Sequence, residues 1–140
     1  MLEAALSSHI SNAVCDSPTP IADFDPARYM GTWFEIDRVP YLPFQPASAT
    51  CTEAQYYDLA NGQFTVLNSE QDKYFDARKY ANGTGTASST PGWFFVQFGG
   101  PKTAVPNYQV VSTDYDSYSI VYGCTGAQLH PTFGTCRAHR

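Results

Sequence analysis

Charged residues are scarce in this sequence, and basic residues are the scarcer kind. Only 15% of the 140 residues are Asp, Glu, Lys or Arg, and 13 acidic side chains outnumber 8 basic ones, which gives a formal charge of −5. Nucleic acids and anionic membrane surfaces attract basic faces. The charge balance therefore argues against both as partners.

A long apolar run is also missing, which excludes a helical membrane span. The longest aromatic-rich stretch, WFFV at 93–96, is far shorter than the ~18 apolar residues that a spanning helix needs. The N-terminal stretch MLEAALSSHISNAVC has neither a basic n-region nor a sustained apolar h-region, so it makes a poor signal peptide. We expect residues 1–22 to form an N-terminal extension and residues 23–140 a single domain.

Enzyme signatures are absent as well. The sequence has no G-x-S-x-G, no H-E-x-x-H, no phosphate loop and no dinucleotide fingerprint. Glu35 and Asp37 lie two apart, as a carboxylate pair for acid–base chemistry would, but no His falls in a well-defined strand to complete a catalytic set. We predict a protein that is not an enzyme, with no catalytic residue, no metal site and no obligatory cofactor.

The four cysteines form no C-x-x-C pair, and the three histidines are not spaced as zinc ligands. Disulfides in an oxidising compartment are the favoured interpretation. The tripeptide Asn82-Gly83-Thr84 is an acceptor sequence for N-glycosylation and agrees with secretion, although such tripeptides also arise by chance. We therefore predict an extracellular protein.

Aromatic and turn-forming residues are what the sequence has in plenty. Ten Tyr and nine Phe favour β-structure, and turn residues recur at short intervals between apolar stretches. Eight short strands with hairpin-length links, and one helix-like start at Asp25-Pro26, indicate an up-and-down barrel or a sandwich. The strands are predicted at 31–39, 50–58, 63–70, 80–87, 92–98, 107–113, 117–124 and 132–138.

Alternation along these strands predicts which side chains share a face. Trp33, Glu35 and Asp37, for example, form one face of the first strand. The candidate inner faces mix aromatic, small and polar residues, which favours a liganded cavity over a core of Leu, Ile and Val. The alternative is that these side chains simply fill a small barrel. The candidate ligand contacts are Glu35, Tyr56, Phe64, Val66, Phe94, Val96, Phe98, Tyr108, Val110 and Val121.

Two motifs point to a family. Gly31-Thr32-Trp33 opens the first strand, and Thr113-Asp114-Tyr115 follows ~80 residues later at the end of the sixth, in an eight-strand pattern with matching cysteines. With these motifs the sequence resembles the lipocalin family, and most closely its apolipoprotein D-like branch, which includes bilin-binding proteins. The resemblance implies an all-β, eight-stranded antiparallel barrel, closed at one end by a short N-terminal plug helix.

The resemblance also implies structural roles for the motif residues. Trp33 would lie across the barrel floor, and Gly31 would avoid a collision between a Cβ and the plug. Thr113, Asp114 and Tyr115 would tie a turn to the same closed end. The loop at 39–48, with three prolines, would be a flap over the open end.

Disulfides follow from the same resemblance. It implies a Cys15–Cys124 bridge and, less directly, a Cys51–Cys136 bridge, with two free thiols as the alternative to the second. The sequence stops where a lipocalin continues into an outer helix, so we expect that helix to be missing.

The implied function is an extracellular carrier for a small hydrophobic molecule such as a bilin, retinoid, carotenoid or fatty acid. The alternative is a non-enzymatic interaction or structural lipocalin, a subunit of an oligomer or of a pigment protein, without a tight ligand of its own. Trp93 and Phe95, which point outward by alternation, would supply an exposed contact surface for that alternative or for a homo-oligomer.

Overall fold

The protein is a closed barrel of eight antiparallel strands. The computed structural model describes residues 17–38, 48–123 and 132–138, the last range as backbone only. Each strand pairs with the next along the chain, and the eighth returns to pair with the first. The predicted up-and-down barrel is confirmed, and the sandwich is excluded. Its elements are α1 (Pro26–Tyr29), β1 (Gly31–Arg38), β2 (Ala49–Ala60), β3 (Gln63–Asp72), β4 (Ala77–Ala87), β5 (Trp93–Gln97), β6 (Tyr108–Thr113), β7 (Ser119–Gly123) and β8 (Thr132–Ala138).

The β3–β4 hairpin is longer than predicted. Asp72 pairs with Ala77 across a turn at residues 73–76, whereas the predicted strands ended at residue 70 and began again at residue 80. Polar residues with low β-propensity predicted that the two strands end earlier. The hydrogen-bonded ladder between β3 and β4 nevertheless continues through these residues, because pairing satisfies their backbone N–H and C=O groups.

Strand β7, in contrast, begins later than predicted. The carboxylate of Asp114 accepts hydrogen bonds from the backbone N–H groups of Ser117 and Tyr118, at 2.7 and 3.1 Å. These bonds hold both residues in the turn, so β7 begins at Ser119 rather than at residue 117. An Asp side chain that replaces a backbone partner in this way is a common device for ending a strand.

Helix α1 is one turn long and is fixed at its start by Asp25. The Asp25 carboxylate accepts hydrogen bonds from the N–H groups of Ala27 (3.0 Å) and Arg28 (3.3 Å), and Pro26 occupies the first turn, where it needs no hydrogen-bond partner. The helix ends at Tyr29, which is buried. It lies across one end of the barrel, which we call the closed end.

Gly31 begins β1 with a φ of +121°, and a Cβ placed there would meet nothing within 4 Å. The expected collision with the plug is therefore wrong. Gly31 is required instead by its backbone conformation, which side-chain-bearing residues rarely adopt.

Aromatic rings fill the closed half of the barrel. The ring of Tyr29 stacks on Trp33 at 5.0 Å and on Tyr56 at 5.8 Å between centroids. Phe64 lies directly over Gly85 of β4, where a Cβ would come within 2.2 Å of its ring. The buried core cluster consists of Tyr29, Trp33, Tyr56, Phe64, Val66, Phe94 and Val110.

A bulge interrupts the alternation of β1. Its register with β8 shifts between Glu35 and Asp37, and Asp37 is exposed rather than on the inner face with Trp33. Beyond the bulge, the Arg38 guanidinium contacts the Glu35 carboxylate. Simple alternation would place these two side chains on opposite faces of β1. The predicted grouping of Asp37 with Trp33 and Glu35 is thus wrong because one inserted residue reverses the phase.

Candidate ligand-binding site

Six of the ten candidate contacts are buried side chains in the barrel interior. Residues that are opposite in register share a face, and the observed pairs Tyr56–Val66 and Val110–Val121 bring members of the set together. Most of them belong to the packed core cluster. A ligand would therefore lie against the sides of these residues that face away from α1, rather than displace them. The six are Tyr56, Phe64, Val66, Phe94, Val110 and Val121.

The other four candidates are more accessible. Val96 and Tyr108 are partly buried against the core cluster, and Glu35 is partly buried on β1. Phe98 follows the end of β5 at the far end of the barrel, opposite α1, and is 46% exposed. Its ring lies beside the backbone of Gly83, where a Cβ would approach it to 2.8 Å.

A chain of hydroxyl groups crosses the aromatic floor. The Tyr108 hydroxyl is 2.9 Å from the hydroxyls of both Tyr29 and Tyr56. Tyr29 is in turn 2.7 Å from the hydroxyl of Ser119 on β7. These bonds satisfy polar groups that would be costly to bury alone, and they join α1, β2, β6 and β7.

Tyr29 and Ser119 were not among the candidate contacts. Alternation does group Ser119 with Val121, but a small hydroxyl gives no sign of a tyrosine partner 90 residues away in sequence. Tyr29 could have been found, because it is the bulkiest side chain of the one helical turn.

Asn68 is the most informative residue that the candidate set omits. It follows Val66 on the inner face of β3, opposite Ala54, which is itself opposite Trp33. Its Oδ1 atom is buried, and within the described part of the chain it has no hydrogen-bond partner. A buried acceptor of this kind costs about 1–3 kcal/mol unless a donor reaches it. Within the described residues, Asn68 therefore places an unsatisfied acceptor in the interior above an aromatic floor.

Two ion pairs lie toward the far end of the barrel. Arg38 contacts Glu35 at 2.5 Å, and Lys79 lies 3.6 Å from Asp72 on the neighbouring strand. Each pair combines one positive and one negative group. A molecule that enters from this end meets no net charge from these four residues.

The Thr113-Asp114-Tyr115 segment holds the closed end. Asp114 accepts hydrogen bonds from the side chain and backbone of Ser117, and these bonds, with those from Tyr118 and Asp116, hold the pKa of its carboxyl well below the usual range. The Tyr115 hydroxyl accepts a 2.9 Å hydrogen bond from the N–H of Asp25, the cap of α1. The segment thus links the β6–β7 turn to the plug helix.

Comparison with known proteins identifies the family. A family model described as a lipocalin-like domain matches residues 24–128. The chain belongs to the lipocalin family. Members of this family bind small hydrophobic ligands.

Two curated relatives match this lipocalin over 79% of its length. Apolipoprotein D of Rattus norvegicus is 34% identical over 113 residues, and the Lazarillo protein of Schistocerca americana is 34% identical over 114 residues. The chain covers 57% and 51% of their lengths, so it spans little more than half of each relative. The apolipoprotein D-like resemblance is confirmed.

A solved structure supports the fold independently. The cockroach allergen Per a 4 superposes with a TM-score of 0.67 at 25% identity, and the match covers 89% of this lipocalin and 75% of that chain.

The cysteines of this lipocalin are only partly described. Cys15 and Cys124 lie outside the described residues, so their predicted bridge stays a prediction. Cys51 is an exposed free thiol, so the Cys51–Cys136 bridge is absent from the structure. The topology explains this, because β8 pairs with β1 and β7 and is separated from β2 by β1.

The outward aromatics do not form an exposed patch. Trp93 and Phe95 are both half-buried, and the Lys102 ammonium lies 3.8 Å from the Phe95 ring centroid. The expectation of an exposed contact surface at these two residues is therefore wrong. Of the predicted flap at residues 39–48, residues 39–47 lie outside the described residues, so the flap stays a prediction.

The described residues include no helix that is long and apolar enough to span a membrane. They also contain no group of three or more His, Cys, Asp or Glu side chains arranged to hold a metal ion.

Proposed function

We propose that this lipocalin is an extracellular, non-enzymatic carrier that binds one small hydrophobic molecule inside the barrel. The observation that carries the proposal is the buried, unsatisfied Oδ1 of Asn68 above a floor of aromatic rings. A binding cavity typically combines apolar walls with a few polar groups that orient the ligand. The ten candidate contacts, with Asn68 added, would form such a cavity.

The chemistry of Asn68 narrows the ligand class. An amide oxygen accepts a hydrogen bond, so the ligand would present an O–H or N–H group at this depth of the barrel. A bilin, retinol or a protonated fatty acid carries such a donor, whereas a pure hydrocarbon does not. We infer an otherwise apolar molecule with one donor near its buried end.

The paired charges favour an uncharged or weakly charged ligand. Because Glu35 and Lys79 each have an oppositely charged partner, neither is free to select an ion of the opposite sign. Apolar contact with Val96, Phe98 and Tyr108 would then supply most of the affinity.

The extracellular part of the proposal has separate support. Four cysteines without a zinc-like spacing are typical of proteins from oxidising compartments, and the sequence contains an N-glycosylation acceptor.

Titration of purified protein with biliverdin, retinol and palmitic acid, followed by tryptophan fluorescence, tests the carrier function. At least one probe should quench the emission with a stoichiometry of one, because Trp33 lies in the interior beside the proposed site. Native mass spectrometry of the protein from its own source would then identify the natural ligand.

Asn68→Leu is the decisive variant, because it keeps the size of the side chain and removes the acceptor. We expect it to weaken binding of retinol by roughly tenfold while leaving folding intact. Thr65→Val, three residues before Asn68 and on the outer face of β3, is the matched control and should bind as the wild type does. Equal affinity of all three proteins would exclude Asn68 from the site, and failure of every probe would exclude the carrier function for these classes.

A further inference from the structure

The acceptor tripeptide at Asn82 lies in an unusual place, in the middle of a strand on the outside of the barrel. Asn82 is exposed and pairs with Leu67 of β3, while the following Gly83 pairs with the buried inner residue Val66. Thr84 is exposed on the same outer face as Asn82. No other Asn in the sequence is followed at the second position by Ser or Thr.

An open groove borders this tripeptide. It crosses the outer face of β2, β3, β4 and β5 and is lined by Tyr57, Asp58, Thr65, Thr84, Gln97 and the backbone around Gly99. Tyr57 is 39% exposed, so part of its ring faces solvent. A sugar ring has an apolar face that packs on an aromatic ring and hydroxyls that bond to groups such as those of Asp58 and Gln97.

We propose that Asn82 carries an N-linked oligosaccharide and that its first sugars lie in this groove. The side-chain nitrogen of Asn82 forms a bond to the anomeric carbon of a lipid-diphosphate-linked oligosaccharide. The bond from that carbon to phosphate breaks, the lipid diphosphate leaves, and the amide nitrogen loses one proton to a base of the transferase. No oxidation or reduction takes place.

The site is compatible with ligand binding because it lies on the opposite side of the strand from the cavity. Asn82 alternates with Gly83, whose position faces the interior, so a glycan at Asn82 extends away from Phe98 and Asn68. Attachment requires the secretory route and so rests on the extracellular part of the proposed function, but not on the ligand.

Translocation of the chain into microsomes tests the modification directly. The chain is fused to a signal peptide and to a short reporter tag with its own acceptor sequence, so that the tag records entry into the lumen. We expect two glycans on the wild type and on Thr84→Ser, and one glycan on Asn82→Gln and Thr84→Ala. Thr86→Ala on the same strand is the control and should keep two.

A wild-type chain that carries only the tag's glycan overturns the proposal. Since the experiment forces the chain into the lumen, this result is independent of where the natural protein resides and of whether it binds a ligand.

A second experiment tests whether the Asn82 glycan packs in the groove. Glycans packed against protein are cleaved slowly by endoglycosidases under native conditions, so Tyr57→Ala should speed the release of the Asn82 glycan several-fold. Tyr74→Ala, which alters an exposed tyrosine in the β3–β4 turn, is the control and should leave the rate unchanged. Equal rates for Tyr57→Ala and the wild type would overturn the seating of the glycan in the groove.

Discussion

The indole N–H of Trp33 donates a 2.9 Å hydrogen bond to the backbone carbonyl of Tyr29. Tyr29 is the last residue of α1 and Trp33 belongs to β1, and their rings also stack at 5.0 Å. The bond satisfies one of the carbonyls that the end of a helix leaves free. One side chain of the barrel floor therefore both caps the plug helix and fastens it in place.

Trp33→Ala should lower the free energy of unfolding by about 3–5 kcal/mol, because it removes a large buried side chain and leaves a cavity. Trp33→Phe keeps most of the ring and loses the hydrogen bond, so we expect it to cost less than Trp33→Ala. Urea unfolding followed by circular dichroism gives both values. A stable variant with altered ligand preference would instead place Trp33 among the ligand contacts.

Tyr108→Phe removes the hydroxyl that joins Tyr29 and Tyr56. We expect a loss of about 1–3 kcal/mol in unfolding free energy, because two interior hydroxyls each lose a partner. Tyr80→Phe, at an exposed position on β4, is the control and should change stability very little. Equal unfolding curves for the two variants would show that the hydroxyl chain does not stabilise the fold.

Gly85→Ala should destabilise the barrel by about 1–3 kcal/mol, because the new methyl group would occupy the space of the Phe64 ring. Combining it with Phe64→Leu should recover part of the loss, since the smaller side chain vacates that space. The comparison is made by thermal unfolding of both single variants and the double variant. Additive losses would mean that Gly85 and Phe64 act independently.

Asp114 should make the closed end sensitive to acid. Its pKa is lower in the folded protein than the unfolded value near 4, so its contribution to stability is full above that value and is lost as the pH falls toward the folded pKa. Asp114→Ala should therefore be less stable than the wild type at pH 7, and the difference should shrink below about pH 4. Urea unfolding at a series of pH values measures it, and a difference that is constant with pH would contradict the assignment.

Strand alternation and two short motifs were enough to predict the barrel and most of its interior. Phe64, Val66 and Phe94 were assigned correctly to the inner face because β3 and β5 run without an inserted residue there. Alternation failed at Asp37, since a bulge depends on how β8 aligns with β1 and leaves no local mark in the sequence.

Features that depend on long-range proximity could not be predicted. The bond between Tyr29 and Ser119 joins residues 90 apart, and nothing in either neighbourhood specifies the other. Alternation groups Asn68 with Phe64 and Val66, but the lack of a partner for its Oδ1 atom depends on groups from other strands and could not be predicted. The Cys51–Cys136 bridge is a different case, because it came from the family resemblance and would join β2 and β8, which are not neighbours in the barrel.

Phe98 offers a test of where a ligand enters. It is 46% exposed at the far end of the barrel, so a carboxylate introduced by Phe98→Glu would remain hydrated and should change stability by only about 0.5 kcal/mol. Binding of retinol should nevertheless weaken by roughly tenfold, because the ligand loses about 1.5 kcal/mol of apolar contact. Phe75→Glu, at a 79% exposed position in the β3–β4 turn, adds the same charge without touching the proposed cavity. Retinol affinity should stay at the wild-type value in Phe75→Glu, and an equal loss in both variants would show that charge alone, rather than contact with Phe98, controls binding.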